Sequence, residues 1–324
     1  MARIYSGDTM DKILITGGVG FIGGHLTERL LGDGHKVVCL DNFNNYYDPT
    51  IKRKRVKSFL LNDNFTLAEG DIRDNSLLAE LFAASGFDYV VHLAGEGGVR
   101  KSLVNPSLYV DVNIGGTLNL LETVKEHPLK GFIFASSSSV YGNGEKIPFS
   151  EKDEVVPISP YGATKRMTEI LCETYHHLYH IPITILRFFT VYGPRQRPEM
   201  AIHKFTRQIM AGEEVTLYDA MNTKRDYTYI SDIIDGIMAT IHRRSGFEVF
   251  NLGSSSSIHL WYLLTLLEHH IGKRAKANHL PANSCDAIIT QANITKARDL
   301  LGYSPKVGIE EGIARFVEWY RNEN

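Results

Sequence analysis

Six short apolar runs recur within the first 190 residues of this 324-residue chain, and stretches with helical spacing separate them. The runs occupy residues 12–18, 36–41, 65–71, 89–95, 131–137 and 183–189. Strands that are apolar throughout and alternate with helices form parallel sheets whose two faces are both covered. The sequence therefore predicts an α/β fold built on a doubly wound parallel sheet of the Rossmann type.

The alternating pattern loosens after Phe189, and 324 residues exceed what one small core requires. We expect a Rossmann domain over residues 12–190, to which residues 227–253 return. Residues 191–226 and 254–324 are expected to form a smaller C-terminal α/β lobe. Residues 1–11 lack the apolar core of a signal peptide and are expected to be a flexible extension.

Composition excludes several classes of partner. The formal net charge of −2 gives no electrostatic reason to expect nucleic acid or a membrane surface, and no run approaches the ~18 apolar residues of a membrane span.

Three widely separated cysteines offer neither a disulfide framework nor a CxxC metal site, which favours a reducing cytoplasm. His176 and His180 lie one helical turn apart but lack an acidic third ligand at a familiar spacing, so we expect no metal.

Gly17, Gly20 and Gly23 lie between the first run and a helical stretch. Glycines permit a tight turn and let the backbone approach a pyrophosphate, which then binds the free N–H groups of the helix. Asp41 ends the second run, where a carboxylate accepts both ribose hydroxyls of adenosine and repels a 2′-phosphate. The pattern predicts NAD rather than NADP, while a simple turn role for Asp41 stays open.

Other predicted cofactor contacts lie in the glycine turn and where later strands end: Phe21, Ile22, Asn42, Asp71, Ile72, Leu93, Ala94 and Gly95. The basic run at residues 52–57, "KRKRVK", allows two interpretations. Either the run binds a 2′-phosphate, or it forms the solvated face of a helix. We favour the solvated face, because the run lies well downstream of Asp41.

The run "FASSSSVYG" places four serines at the carboxyl end of the strand predicted at residues 131–137. Doubly wound sheets bind ligands at such strand ends, which favours an active site over a flexible linker. Tyr161 and Lys165 lie four residues apart in a predicted helix, so their side chains share one face. An ammonium group near a phenol lowers the pKa of the phenol, which makes Tyr161 a usable proton acceptor and donor.

The chain resembles the extended short-chain dehydrogenase/reductase superfamily from about residue 12 to 320, and within it the UDP-glucuronate 4-epimerase group. The resemblance is carried by seven ordered motifs: "ITGGVGFIG", "LDNFNNYYDP", "HLAGEGGVRKSLVNP", "FASSSSVYG", "SPYGATK", "LRFFTVYGPRQRPEMA" and "RDYTYISDI". It implies an NAD-binding Rossmann domain and a nucleotide-sugar-binding lobe. The implied reaction inverts C4 of a UDP-sugar through a 4-keto intermediate, most closely UDP-glucuronate to UDP-galacturonate.

By this resemblance Ser137 hydrogen-bonds the sugar O4, and Tyr161 deprotonates the C4 hydroxyl while hydride passes to NAD. Lys165 binds the nicotinamide ribose. A 4-keto uronate is a β-keto acid that loses CO2 readily, so its carboxylate must be held. The neutral donors suited to that task are Ser138, Ser139 and Thr190, and Arg197 adds charge.

The resemblance also assigns the nucleotide end of the substrate. Arg225 matches a diphosphate-binding arginine, with Lys204 assisting, and Val215 and Tyr218 are placed to bracket the uracil. Arg100 is expected to contact the substrate.

Glu96 departs from the family, which usually has a neutral residue there. We expect Arg100 or Lys101 to neutralise Glu96 in a local salt bridge; otherwise the substrate is a neutral or amino UDP-hexose.

Ser138 and Ser139 distinguish the implied epimerisation from the reactions of other relatives. Dehydrating relatives carry Asp-Glu at the positions of Ser138 and Ser139, and decarboxylating relatives carry Glu at Ser139. A serine cannot perform a carboxylate's proton transfer at neutral pH, which disfavours both. The non-enzyme alternative is an NAD-binding redox sensor, although such a protein need not keep Ser137, Tyr161 and Lys165 together.

Relatives pair the helices predicted at residues 108–126 and 161–179 into a four-helix interface. A homodimer is therefore expected by analogy.

Overall fold

The computed structural model describes residues 10–144, 146–243, 246–281 and 285–323. Its main sheet comprises β1 Lys12–Thr16, β2 Lys36–Asp41, β3 Phe65–Glu69, β4 Tyr89–His92, β5 Gly131–Ser137, β6 Ile183–Phe188 and β10 Phe247–Leu252. Across the described residues the strand order is β10-β6-β5-β4-β1-β2-β3, and every pairing is parallel. The chain builds outward from β1 in both directions, which confirms the predicted doubly wound sheet.

Both faces of this sheet are covered by helices. The flanking helices are α1 Phe21–Gly32, α2 Pro49–Phe59, α3 Asn75–Ala83, α6 Thr117–Val124, α7 Pro160–Tyr179 and α9 Ile230–Ile241. Successive strand side chains point to opposite faces, so Ile13 and Ile15 belong to one apolar core and Leu14 to another. Burial on both faces is why these strands are apolar throughout.

The single helix predicted over residues 108–126 is divided in the structure. Short helices α4 Val99–Val104 and α5 Pro106–Tyr109 precede a π-helical turn, Val110–Gly116, which leads into α6. Inside that turn the backbone carbonyl of Asn113 accepts hydrogen bonds from the hydroxyls of Thr117 (2.6 Å) and Thr168 (3.2 Å). Such π-helical turns are frequent at functional sites.

The remaining elements are β7 Thr190–Tyr192, α8 Ala201–Ala211, β8 Glu214–Tyr218, β9 Lys224–Tyr229, β11 Ser257–His259, α10 Leu260–Ile271, β12 Lys276–Leu280, α11 Thr295–Leu301 and α12 Ile309–Glu323. Three of these strands form a small sheet in the order β11-β9-β7, and β8 pairs with β12. Of the predicted N-terminal extension, residues 1–9 lie outside the described residues, whereas Asp11 pairs with Lys130 at 2.6 Å. In the described ranges, none of the helices combines the length and apolar character needed to span a membrane.

Candidate functional site

A cavity of about 360 Å³ opens at the carboxyl ends of the central strands. Its walls bring together most of the residues predicted to contact cofactor or substrate. These are Gly17, Gly20, Phe21, Ile22, Gly23, Asp41, Asn42, Asp71, Ile72, Leu93, Ala94, Gly95, Ser137, Ser138, Ser139, Tyr161, Lys165, Thr190 and Arg197. The doubly wound sheet thus gathers residues from six strand ends at one crevice.

The glycine turn has the geometry that a pyrophosphate requires. Gly17 adopts a φ of +69°, which disfavours other residues. A Cβ on Gly23 would lie 2.2 Å from the carbonyl oxygen of Gly17, so the helix packs against the turn only because the side chain is absent. Gly20 caps α1 without a side-chain acceptor, so it leaves the first N–H groups to an anion. These features fit a dinucleotide.

Asp41 is fixed beside that turn by three donors. Its carboxylate accepts from the backbone N–H groups of Val19 (3.3 Å) and Phe43 (3.0 Å) and from the ammonium of Lys52 (3.0 Å). Lys52 is only 7% exposed. These donors hold the carboxylate in place at the end of β2, the position of the acidic residue in an NAD-binding site.

The prediction that the basic run is a solvated helix face is wrong for two of its residues. Lys52 and Arg55 turn inward on α2, while Arg53, Lys54 and Lys57 are exposed. Arg55 donates to the carbonyl oxygens of Val19 (2.9 Å) and Gly20 (2.5 Å). Sequence reasoning missed Arg55 as a support of the glycine turn, although its three-residue spacing from Lys52 placed both on one helical face.

The proposed catalytic side chains lie at the end of β5. Ser159 caps α7 by accepting from the N–H of Gly162 (3.1 Å), so the helix begins just before Tyr161. Lys165 is buried and donates to the carbonyl oxygen of Ala135 (2.7 Å). The hydroxyl of Ser137 donates to the hydroxyl of Ser139 (3.1 Å), accepts from the N–H of Ser139 (3.1 Å) and influences the pKa of Tyr161. The three side chains thus meet within one cavity wall.

The expected effect of Lys165 on Tyr161 is not what the structure shows. Burial raises the pKa of Tyr161, and the hydrogen bond from Ser137 and the charge of Arg197 oppose that rise. Burial also lowers the pKa of Lys165 to about 8. Because the ammonium is directed to the carbonyl of Ala135, the groups that favour the phenolate in this structure are Ser137 and Arg197.

The first serine of the run has a structural partner that the sequence did not reveal. Ser136 donates to the carboxylate of Glu169 (2.6 Å), one helical turn beyond Lys165. Glu169 is also held by the guanidinium of Arg187, with N–O distances of 2.9 and 2.8 Å. This buried network ties β5, α7 and β6 together behind the catalytic residues.

A second cavity of about 280 Å³ lies beside the first, and Arg100, Lys204, Tyr218 and Arg225 line it as predicted substrate contacts. Val215 is different: its side chain is fully buried in the apolar core and does not line this cavity. Side chains alternate along β8, so Thr216 and Tyr218 face the cavity instead.

Arg100 crosses this region. It pairs with Asp286 (2.5 Å), and its guanidinium carbon lies 3.9 Å from the ring centroid of Tyr218.

The predicted salt bridge of Glu96 is wrong. Arg100 pairs with Asp286 instead, and the ammonium of Lys101 donates to the backbone oxygen of Tyr46 (2.8 Å). The carboxylate of Glu96 accepts from the amide of Asn44 (2.9 Å). Burial raises the pKa of Glu96, and the nearby charge of Lys52 and the Asn44 hydrogen bond oppose that rise.

A glycine turn on a doubly wound sheet, with serine, tyrosine and lysine at the end of β5, defines a nicotinamide-dinucleotide enzyme of the short-chain dehydrogenase/reductase class. Residues 13–253 match the model of the NAD dependent epimerase/dehydratase family, and the chain belongs to that family.

Individual relatives are similar over nearly the whole chain. UDP-glucuronate 4-epimerase 1 of Arabidopsis thaliana is 44% identical, over 95% of this chain and 76% of the relative. UDP-glucuronate 4-epimerase of Thermodesulfobacterium geofontis is 42% identical, over 96% of both chains. Among solved structures, UDP-glucuronic acid 4-epimerase from Bacillus cereus in complex with UDP-glucuronic acid and NAD superposes with a TM-score of 0.92, at 38% identity, over 97% of this chain and 100% of that one.

Proposed function

We propose that the chain is an NAD-dependent 4-epimerase that interconverts UDP-glucuronate and UDP-galacturonate. The observation that carries the proposal is the arrangement of Ser137, Tyr161 and Lys165 in the cavity that contains the glycine turn. The similarity to UDP-glucuronate 4-epimerases supports the substrate. NAD, when bound, supplies the hydride acceptor for C4 and returns the hydride later.

Tyr161 is assigned the role of the general base that accepts the proton of the C4 hydroxyl and later returns it. Ser137 interacts with Tyr161, so its hydroxyl can share that proton with the sugar oxygen. Lys165 is assigned the nicotinamide ribose, since two of its three N–H donors remain after the bond to Ala135. Gly17, Gly20 and Gly23 hold the pyrophosphate, and Asp41 holds the adenosine ribose.

The substrate carboxylate is assigned to neutral donors and one cation. Ser138, Ser139 and Thr190 line the cavity, and Arg197 lies there with its Nε 3.2 Å from the carboxylate of Glu199. A hydrogen-bonded carboxylate keeps its charge localised, which opposes loss of CO2 from the 4-keto sugar. Serines at these two positions leave no carboxylate for the proton transfers of dehydration or decarboxylation.

Incubation of the purified protein with UDP-glucuronate, followed by proton NMR, tests the proposal. We expect the anomeric signal of UDP-galacturonate and no UDP-pentose. UDP-glucose and UDP-N-acetylglucosamine are tested in parallel, because the buried carboxyl group of Glu96 in the cavity wall favours an uncharged sugar as the second candidate. Turnover of a neutral sugar alone would exclude the uronate, and no turnover of any UDP-sugar would favour the redox sensor.

Two variants test the carboxylate assignment. We expect Ser139→Ala and Thr190→Val to release UDP-pentose alongside the epimer, since the keto acid would then be less well held. A matched control is Ser254→Ala, in a separate run of four serines at residues 254–257, because the Ser254 hydroxyl donates to Asp226 (2.7 Å) outside the cavity. Variants that still produce no pentose would contradict the assignment.

We also propose a homodimer formed through the exposed face of α7. Met167, Ile170 and Leu178 lie on one helical stripe and are about half exposed, and Val104 of the adjacent α4 is 86% exposed.

We also propose that the chain divides into a domain over residues 12–190 with 227–253 and a lobe over residues 191–226 with 254–324. The buried thiols of Cys39 and Cys172 support the expected cytoplasmic location.

A further inference from the structure

Two chain segments meet above the end of β1. Residues 42–47 follow β2, and residues 95–101 follow β4. In the sheet β1 lies between β2 and β4, so any bond that joins the segments must cross the carboxyl end of β1, where the glycine turn begins. We call this pair of segments the clasp.

Three hydrogen bonds join the two segments of the clasp. The amide of Asn44 donates to the carboxylate of Glu96 (2.9 Å). The hydroxyl of Tyr46 donates to the carbonyl oxygen of Gly97 (2.7 Å), and the ammonium of Lys101 donates to the carbonyl oxygen of Tyr46 (2.8 Å). Because the bonds start from three different side chains, the segments are joined along their length rather than at one point.

Each segment is also anchored to the body of the domain. The side chain of Asn113, in the π-helical turn, accepts from the N–H of Glu96 (2.8 Å) and donates to its carbonyl oxygen (3.1 Å). On the other side Lys52 donates to Asn44 (3.4 Å) and to Asp41 (3.0 Å). Glu96 is 7% exposed, so its contact with Asn44 is largely shielded from water.

We propose that the clasp, closed by Glu96 and Tyr46, retains the dinucleotide between catalytic cycles. The inference rests on the proposed function and deepens it. Asn44, Tyr46, Glu96 and Gly97 all line the cavity that contains the glycine turn, so a dinucleotide bound there lies against the clasp. A C4 epimerisation returns the dinucleotide to its starting oxidation state, so turnover requires no exchange with solution and tight retention does not slow it.

The test is the rate at which purified holoenzyme exchanges its NAD for excess deuterated NAD, followed by mass spectrometry. Glu96→Ala and Tyr46→Phe each remove one bond of the clasp. We expect each to accelerate exchange about fivefold, from the roughly 1 kcal/mol that one net hydrogen bond contributes. Glu96→Gln keeps an acceptor for Asn44 and is expected to restore exchange to near the wild-type rate.

Matched controls come from the same substitutions elsewhere. The hydroxyl of Tyr262 donates to the carboxylate of Glu310 (2.7 Å), and neither residue lines the cavity. Tyr262→Phe and Glu310→Ala should leave exchange unchanged. Wild-type exchange rates in Glu96→Ala and Tyr46→Phe would overturn the clasp. A wild-type protein that neither contains nor binds NAD would overturn the proposed function as well, so the two failures are distinguishable.

Discussion

Replacing Glu169 by glutamine is expected to leave a buried guanidinium without its counter-charge. Glu169 is 1% exposed in its side chain and Arg187 is 4% exposed. Two N–H groups of Arg187, one N–H group of Arg166 (3.2 Å) and the hydroxyl of Ser136 donate to the carboxylate. Glutamine keeps one acceptor oxygen but presents an NH2 group where the second oxygen accepted, so a donor then faces a donor.

The cost follows from this geometry. Breaking a buried ion pair by removing one partner costs about 3–5 kcal/mol, because the remaining charge stays desolvated. For a chain of this length that corresponds to a fall in the melting temperature of about 4–7 °C. The exposed pair of Glu311 and Arg315 offers a matched control, since the same Glu→Gln change there removes a surface ion pair that contributes at most about 0.5 kcal/mol.

Thermal and urea unfolding of Glu169→Gln and Glu311→Gln, side by side, measure the difference. We expect a large loss only in Glu169→Gln, and equal melting temperatures in the two variants would refute the reasoning.

A second readout concerns Lys165. Its pKa is lowered by burial to about 8, and the charge of Glu169 is among the effects that raise it. Since the ammonium form is the one that persists below this pKa, the alkaline limb of kcat/KM, which reports the free enzyme, should lie near pH 8 and shift to lower pH in Glu169→Gln.

Three further substitutions have matched controls or a direct readout. Gly23→Ala puts a methyl carbon 2.2 Å from a backbone oxygen of the turn and should abolish NAD binding in equilibrium dialysis, whereas Gly32→Ala, with nothing within 4 Å in the same helix, should not. Arg55→Ala removes the guanidinium that donates to two carbonyl oxygens of the turn and should weaken NAD binding about tenfold in calorimetry, whereas the exposed Lys54→Ala should leave it unchanged. Ile170→Glu should convert a dimer to a monomer in light scattering, and an unchanged mass would contradict the proposed interface.

Local pattern predicted most of the sheet but not the irregular backbone. Residues 36–41 form β2 over the predicted range because a parallel strand covered on both faces must be apolar throughout. The helix predicted at residues 108–126 contains a π-helical turn around Asn113, whose carbonyl oxygen accepts hydrogen bonds from Thr117 and Thr168. Thr168 comes from α7, more than 50 residues away in the chain, and no local pattern could reveal that contact.

The spacing of Tyr161 and Lys165 was enough to place both in one cavity, because residues four apart share a helical face. It was not enough to give their electrostatic relation. That relation depends on where the ammonium points, and here it points at the carbonyl oxygen of Ala135 on a neighbouring strand. The direction of a flexible side chain is set by the acceptors that other elements supply, and these are known only once the strands are assembled.

The basic run at residues 52–57 is a second case in which the sequence pattern left the role of charged side chains undetermined. Helical periodicity separates Lys52 and Arg55 from the other cations of the run, but it does not say which face is covered. The covering is decided by the ends of β1 and β2, which present carbonyl oxygens of the glycine turn and the carboxylate of Asp41. A buried cation needs such acceptors, and the buried carbonyl groups of the glycine turn need donors, of which Arg55 is one. The buried cations and the buried acceptors therefore satisfy one another. Lys52 and Arg55, whose charges suggest a solvated surface in the sequence, instead support the cofactor site.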